Sequence, residues 1–488
     1  MATASAADPP RSGLIVAVLA SGGIMVSLMQ TLIIPLIPSL PALLGTSAAN
    51  ASWAITASLL AGAVATPVAG RLGDLYGKRR LAVVCAVLLT AGSLVCALSN
   101  TLAPMVIGRA LQGFGIALVP LGISIMRDVL PPRRLGSAMA MMSSSIGVGS
   151  ALGLPLAALV AQYADWHVLF WAAAALGALT GGLVLAVVPE SPLRARERFD
   201  ALGALGLSAG LVLLLLPVSK GGDWGWSSPV TLGLLAASAV MLLLWGAWEL
   251  RSAAPLVDLR TSARRQVLMT NLASVVVGFA MFVMALAPPQ ILQLPEATGY
   301  GLGQSMLQTG LWLAPGGLVM MGTSRVAALL SARRGPKVSL LAGTLVIASG
   351  YAVGLALTTT LAGLLIFSCI VSAGVGFAYA AMPALIMGAV PRTETAAANG
   401  LNSLARAIGT SASSAVIGVV LADMTTRFGP AVIPTEAGVR ATLLIGGGAA
   451  LLAALIVLTI PGRTAGPEAS PAARSRYGEA DPTANLPG

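Results

Sequence analysis

The chain has 488 residues, of which 57% are hydrophobic and only 9% charged. An ordinary soluble domain is about 25% charged, so too few polar side chains remain to cover a water-facing surface, and lipid must be the outer solvent. The formal net charge is +11, but the cations sit in short clusters between apolar runs, which is a membrane-topology pattern and excludes a nucleic-acid partner.

Only helices and closed barrels satisfy the backbone in lipid. The apolar runs are about 20 residues long and do not alternate, which selects helices. The first run follows a short tail holding only Arg11. An Ala-Ser-Gly stretch at Ala20 resembles a cleavage site, but the run continues to Leu44, so it reads as a retained span and not a signal peptide. In chain order the spans are predicted at 14–38, 48–70, 81–99, 102–124, 136–160, 167–188, 201–219, 229–249, 267–293, 305–330, 338–358, 361–388, 396–421 and 438–461. They are numbered 1 to 14 below. The fold class is thus an all-α polytopic membrane protein.

An even number of spans places both termini on one side. Basic clusters occupy alternate loops: Arg71/Lys78/Arg79/Arg80, Arg127/Arg133/Arg134, Arg194/Arg196/Arg198, Arg251/Arg260/Arg264/Arg265 and Arg333/Arg334/Lys337, with Arg392 in the next of the set. The opposite loops hold only Lys220, Arg427 and Arg440. The clustered loops and both termini are therefore expected in the cytoplasm. The stretch after Pro461 is rich in Pro, Ala, Gly and charge and is expected to be a disordered tail. Lysine occurs only at 78, 220 and 337 against many arginines. With the abundant Ala and Gly, this suggests a GC-rich bacterial genome and a bacterial plasma membrane.

Cys85, Cys96 and Cys369 all lie inside apolar runs, which argues for packing roles and against disulfides. No metal site and no cofactor are expected. With one histidine, three scattered cysteines and no carboxylate deep in a span, no catalytic constellation is present, and an enzyme is not expected. His167 adjoins Trp166 at the start of span 6 and reads as an interfacial residue. Its ring also titrates near neutrality, which leaves a proton-relay role open.

Two loops look like degenerate copies. Gly-Arg-Leu-Gly-Asp-Leu-Tyr-Gly-Lys-Arg fills 70–79, and Ala-Leu-Leu-Ser-Ala-Arg-Arg-Gly-Pro-Lys fills 328–337. Gly77 then aligns with Gly335, and Asp74 with Ala332. A repeat of this kind is expected of a transporter built from two related halves. The division expected is a tail at 1–13, six spans in 14–190, a two-span insertion in 191–265, six spans in 266–461 and a tail at 462–488.

In the first copy, Gly70, Gly73 and Gly77 allow helix ends to approach and turn. Asp74 near a helix end can pair with Lys78, Arg79 and the exposed amides of another helix, making a latch that breaks and reforms. This stretch resembles the signature loop between spans 2 and 3 of the major facilitator superfamily. Ile107–Gly115, with Arg109, Gln112 and Gly113, resembles that family's second motif. Gly147, Gly149, Gly153 and Pro155 in span 5 resemble the motif of its exporters, although Leu154 separates the Gly-Pro pair and Ala157 and Ala158 replace the closing glycines. Small residues at this spacing also serve plain helix packing.

The insertion resembles the fourteen-span drug:proton antiporter branch, through Phe199–Gly203, Gly221–Trp226 and Pro255–Leu259, together with Asn399–Gly409 in span 13. That branch commonly carries an aspartate in span 1, where this chain has Met29.

The resemblance implies two six-helix halves with two extra central helices, working as a monomer by alternating access and exchanging a small-molecule substrate for protons. An importer or uniporter of a small organic solute, or a non-transporting scaffold, are the alternatives. The family's cavity lines spans 1, 2, 4 and 5 and their counterparts 9, 10, 12 and 13. Candidate cavity residues are then Gln30, Asn271, Gln308, Trp312, Tyr379, Asn402 and Arg406. Arg109 and Arg406 are the two deep arginines identified, and an intramembrane charge usually faces a cavity or a partner. Snorkelling to the headgroups is the alternative for Arg109, and a bond to helix carbonyls the alternative for Arg406. A guanidinium facing the cavity suits a carboxylate, so the expected cargo is an anionic or zwitterionic amphiphile such as an acidic antibiotic.

Overall fold

The computed structural model describes residues 12–37, 39–195, 197–428 and 431–461. The expected tails at 1–13 and 462–488 fall almost wholly outside these residues, as does Arg196. Among the described residues fourteen helices are long and apolar enough to cross a membrane. In order they are Ser12–Thr31, Trp53–Tyr76, Lys78–Ala97, Leu102–Val129, Pro132–Tyr163, His167–Val187, Ala201–Trp224, Pro229–Arg251, Arg265–Gln293, Met306–Arg334, Pro336–Leu357, Leu361–Met387, Thr395–Asp423 and Glu436–Leu458. Span 4 tightens into a single 3-10 turn at Phe114–Ala117.

Several edges differ from the sequence expectation. Span 1 ends at Thr31, because Pro35 enters a short 3-10 turn, Ile34–Leu36, and cannot supply an N–H to a continuing helix. Span 2 stays helical through the signature stretch as far as Tyr76. The loop expected at 70–80 is thus a one-residue corner at Gly77, with φ +119°. Its counterpart Gly335 makes the same corner between spans 10 and 11, with φ +91°. Both conformations favour glycine. Span 7 runs to Trp224 and takes Lys220 into the helix. A small antiparallel hairpin pairs β1 (Thr425–Phe428) with β2 (Ala431–Pro434) between spans 13 and 14.

The core is divided. One apolar cluster joins residues of spans 1 to 6 and takes in Met387 of span 12 and Ala396 of span 13, and another joins spans 9 to 14. Two seams connect these groups. Span 5 packs along span 10, where a methyl at Gly310 would fall 2.9 Å from the nitrogen of Pro155. Span 2 packs along span 13, where a methyl at Gly70 would fall 2.5 Å from the carbonyl oxygen of Ala396, and one at Gly400 would fall 2.5 Å from that of Thr66. Only glycine permits such backbone approach, which is how helices associate where lipid removes the hydrophobic incentive. Span 8 buries just Thr231, Ser238 and Glu249, and presents Leu243 and Leu244 outward. Span 7 instead lies against spans 2 and 13.

Candidate functional site

At the arginine-rich end of the helices, Asp74 is wholly buried. Its Oδ2 accepts the N–H of Ala397 at 2.9 Å, and its Oδ1 accepts that of Ala396 at 3.3 Å. These are first-turn amides of span 13, which have no partner inside their own helix and carry the positive end of its dipole. Lys78 lies 3.3 Å from Asp74 Oδ1 and donates to Asp128 Oδ2 at 2.6 Å. Ser191 donates to the same Asp128 oxygen at 2.6 Å. Gly73 lies against Leu121 and Lys78, and Gly77 against Glu190. Arg79 uses its backbone N–H on Glu190 and its guanidinium on the Leu185 carbonyl, so it braces spans 3 and 6 without touching Asp74.

A second contact across the same seam comes from Arg127, near the end of span 4. Its guanidinium donates to the carbonyls of Met387 at 2.6 Å and Val390 at 3.1 Å, and to Thr395 Oγ1 at 2.5 Å. Read along the chain, Arg127 was only one cation in a basic cluster. An arginine in a last helical turn is common, and nothing local tells that it reaches residues some 260 positions away.

Midway along the helices lies a cavity of about 240 Å³. Spans 1, 2, 4, 5, 9, 12 and 13 contribute to it, and so does span 7 through Leu215. Span 10, expected as a wall, contributes none of its lining residues. Gln30, Tyr379 and Arg406 line the cavity. The Arg406 guanidinium lies 4.9 Å from the centroid of the Tyr379 ring. It donates to Asn402 Oδ1 at 2.7 Å and to Ser403 Oγ at 2.9 Å. Asn402 in turn donates to Asn271 Oδ1 at 2.9 Å and to Ser274 Oγ at 2.7 Å. Asn271 and Asn402 therefore stand behind Arg406, orienting it. Among the described residues, Arg406 is the only charged group lining this cavity.

Two candidates stand elsewhere. Gln308 occupies the third position of span 10, where its Oε1 accepts the Ser305 N–H at 2.8 Å and its own N–H reaches Ser305 Oγ, forming a capping box. A glutamine three residues after a serine is that motif's signature. Trp312 donates its indole N–H to Gln304 at 3.2 Å and packs with the second apolar cluster.

Arg109 does not line this cavity but a small pocket beside it of about 20 Å³, with Met29, Gln30, Ser58 and Gln112. It is 3% exposed, and its donors go to the carbonyls of Ala54 (2.9 Å) and Met29 (3.3 Å), to Gln112 Oε1 (2.7 Å) and to Ser58 Oγ (2.9 Å). Gln112 passes the chain on to Ser93 at 2.9 Å, tying spans 1, 2, 3 and 4 together. Met29, in place of an acid, offers Arg109 its carbonyl and receives the Ser93 hydroxyl on sulfur. Gly113 fits against Ser58 and Ala61 of span 2. In span 5, Gly147 faces Gly317 and Met320, Gly149 faces Ile24 and Ser27, Gly153 faces Thr31, and Pro155 lies inside the helix against Gly310.

Sequence reading passed over a third arginine. Arg325 lies within span 10 and is exposed at its surface. At the opposite face His167 bridges Asp165 Oδ1, 2.5 Å from Nδ1, and the Ser99 carbonyl, 3.1 Å from Nε2. The His167 backbone N–H, then its ring, hold the Asp165 carboxyl below the usual carboxylate range. The ring also stacks on Trp166 with centroids 3.8 Å apart, an arrangement that staples the start of span 6 to the loop after span 3.

The sequence profile of the Major Facilitator Superfamily matches residues 19–414. An uncharacterised MFS-type transporter of Mycobacterium tuberculosis is 30% identical over 330 residues, 67% of this chain. The chain spans about half of that relative's length, 47%. Putative multidrug resistance protein MdtD of Escherichia coli is 31% identical over 67% of this chain and 68% of its own. Multidrug resistance protein 3 of Bacillus subtilis is 25% identical over 77% and 73%. Among solved structures, the human organic anion transporter MFSD10 superposes with a TM-score of 0.63 at 19% identity, covering 92% of this chain and all of that one. The proton:xylose symporter XylE also gives 0.63, at 16% identity, covering 92% and 96%. With fourteen membrane helices, this fold and these relatives, the chain belongs to the Major Facilitator Superfamily of transporters and not to an enzyme family.

Proposed function

We propose that the protein is a secondary exporter of a small anionic or zwitterionic amphiphile, working by alternating access with proton antiport. The observation that carries this reading is the cavity in which Arg406 is the only charged group among the described lining residues. A desolvated cation needs a carboxylate partner, and none lines this cavity among the described residues. A guanidinium over the Tyr379 ring and bonded to Asn402 and Ser403 keeps further N–H donors for a carboxylate.

The direction rests on the multidrug-resistance relatives and the span 5 glycines. The arginine-rich face is taken as cytoplasmic because clustered cations mark that side. On this assignment the Asp74–span 13 contact holds the cytoplasmic end closed. The two groups of six spans, 14–190 and 266–461, rock about the cavity to open it, and a chain of this kind acts as a monomer. The exchanged proton is placed at Asp74, since neutralising that carboxylate removes the charge that the span 13 amides face. Glycines 70, 73 and 77, with Lys78 and Arg79, shape the corner that carries it.

The test is uptake into inverted vesicles of an acidic compound and its neutral ester, with and without an imposed proton gradient. Arg406→Gln should weaken transport of the acid about tenfold or more, the worth of one charge-assisted hydrogen bond, and leave the ester nearly unchanged. Equal loss for both, or preferential transport of permanent cations, overturns the charge assignment. Transport indifferent to the gradient makes the protein a uniporter.

A further inference from the structure

The two central helices look at first like an appendage, but span 7 is not one. Leu207, Leu211 and Leu215 recur every four residues and so share one face of the helix. That face packs with Ala63 of span 2 and Leu404 of span 13 in a single apolar cluster. Span 7 thus lies along the seam between the two groups of six helices, while Leu202 and Leu205 on its other side are 61% and 68% exposed. The last of the three leucines, Leu215, is 3% exposed and lines the same cavity as Arg406.

Both ends of this helix are fastened. At the arginine-rich end Asp200 caps it, accepting the Gly203 N–H at 2.8 Å, and also takes the Trp248 indole N–H at 2.9 Å. At the other end Lys220 is 2% exposed, so its ammonium must be compensated inside the protein. It donates to Ser52 Oγ, lies 3.2 Å from Asp223 Oδ2, and stands 5.1 Å above the ring of Trp53, the first residue of span 2. The ammonium over an aromatic face adds a cation–π attraction that strengthens on desolvation. Lys220 and Leu215 lie five residues apart on one continuous helix, with Pro217 between them, so anchoring the lysine to the outer end of span 2 limits how far Leu215 can move from the cavity.

We propose that span 7 is a wall of the transport cavity and that Leu215 is a specificity-determining residue, limiting the bulk of the substrate's apolar portion while Arg406 takes its charge. This rests on the central cavity being the transport site. The two inserted helices then do more than join two halves: the first closes the span 2–span 13 seam against lipid and adds Leu215 to the apolar lining that Leu59, Ile116, Val119, Ile146 and Met281 give the cavity.

The experiment uses the full chain in proteoliposomes, with straight-chain alkyl carboxylates of increasing length as probes. Leu215→Ala should lower KM for the longer members about tenfold relative to wild type, within the range expected for a few methylenes in an apolar pocket. Leu215→Trp should raise it, and kcat should change little in either. Leu205→Ala, on the lipid side, should leave the profile unchanged. An unaltered length profile in both Leu215 variants overturns the proposal. The matching neutral esters separate this from the anion reading: a length shift seen only with esters keeps Leu215 and discards the preference for acids. A measurement independent of any substrate is labelling of Leu215→Cys, in a chain with its three cysteines replaced, by a membrane-impermeant thiol reagent. Labelling comparable to that of Arg406→Cys supports the wall, and labelling of Arg406→Cys alone overturns it.

Discussion

Asp74 of span 2 and Ala397 of span 13 are joined by a 2.9 Å hydrogen bond between a buried carboxylate and a first-turn amide. With the companion bond to Ala396, it is the charged part of a seam in which Gly70 and Gly400 otherwise bring bare backbone together. Asp74→Asn keeps the shape but removes the charge and offers an N–H to amides that need an acceptor. A charge-assisted bond is worth about 1.5–3 kcal/mol, so the balance between closed and open states should shift about 10- to 100-fold. Transport should fall strongly at equal membrane level, measured in vesicles against a quantified blot. Near-normal transport would remove Asp74 from the mechanism.

Arg127 should behave as a partner of that contact. Arg127→Ala leaves the carbonyls of Met387 and Val390 and the Thr395 hydroxyl without their donor. The expected result is a cytoplasmic end that opens more often. A cysteine placed near Val390 should then label faster from the cytoplasmic side, while the acid-over-ester preference proposed for Arg406 persists. Unchanged labelling would mean that Arg127 is a static brace.

Arg109 is expected to fail differently from Arg406. Its donors are committed to spans 1, 2 and 4, so Arg109→Met should lower the melting temperature in detergent. The loss corresponds to about 1.5–3 kcal/mol for each bond to a charged group that is not replaced. KM for the acidic substrate should be nearly unchanged in the folded fraction. A stable variant with a large KM effect would place Arg109 in the transport path instead.

Span 5 offers a paired test on one helix. A methyl at Gly149 would meet the Ile24 carbonyl oxygen at 2.5 Å and Ser27 Cβ at 2.7 Å, whereas nothing lies within 4 Å of Gly136. Gly149→Ala should cost about 1–3 kcal/mol through overpacking against span 1, and Gly136→Ala should be neutral or slightly stabilising. Thermal unfolding of the two purified variants decides this, and equal melting temperatures would contradict the packing.

Orientation is tested by reporter fusions. Those after Arg198 and after Arg265 should read cytoplasmic, and one at Asp223 external. A cytoplasmic reading at Asp223 would mean that spans 7 and 8 do not cross the membrane.

The membrane class, the fourteen helices and the cation clusters were legible in the chain, because apolar run length and charge are local properties, whereas the loop expected at 70–80 narrowed to a corner at Gly77. The capping box at Ser305–Gln308 was legible too, since its signature is local, yet the glutamine was assigned to the cavity. What a run of apolar residues does not encode is which neighbour each helix face meets. Gln30 and Arg406 reach one cavity, and Arg109 turns into its own helix group, because of how spans pack that lie up to hundreds of residues apart. Polar side chains in lipid find whatever partners that packing supplies. The partners of Arg127, the burial of Lys220 and the place of Leu215 in the cavity wall exist only once span 2 meets spans 7 and 13, and tertiary structure alone decided them.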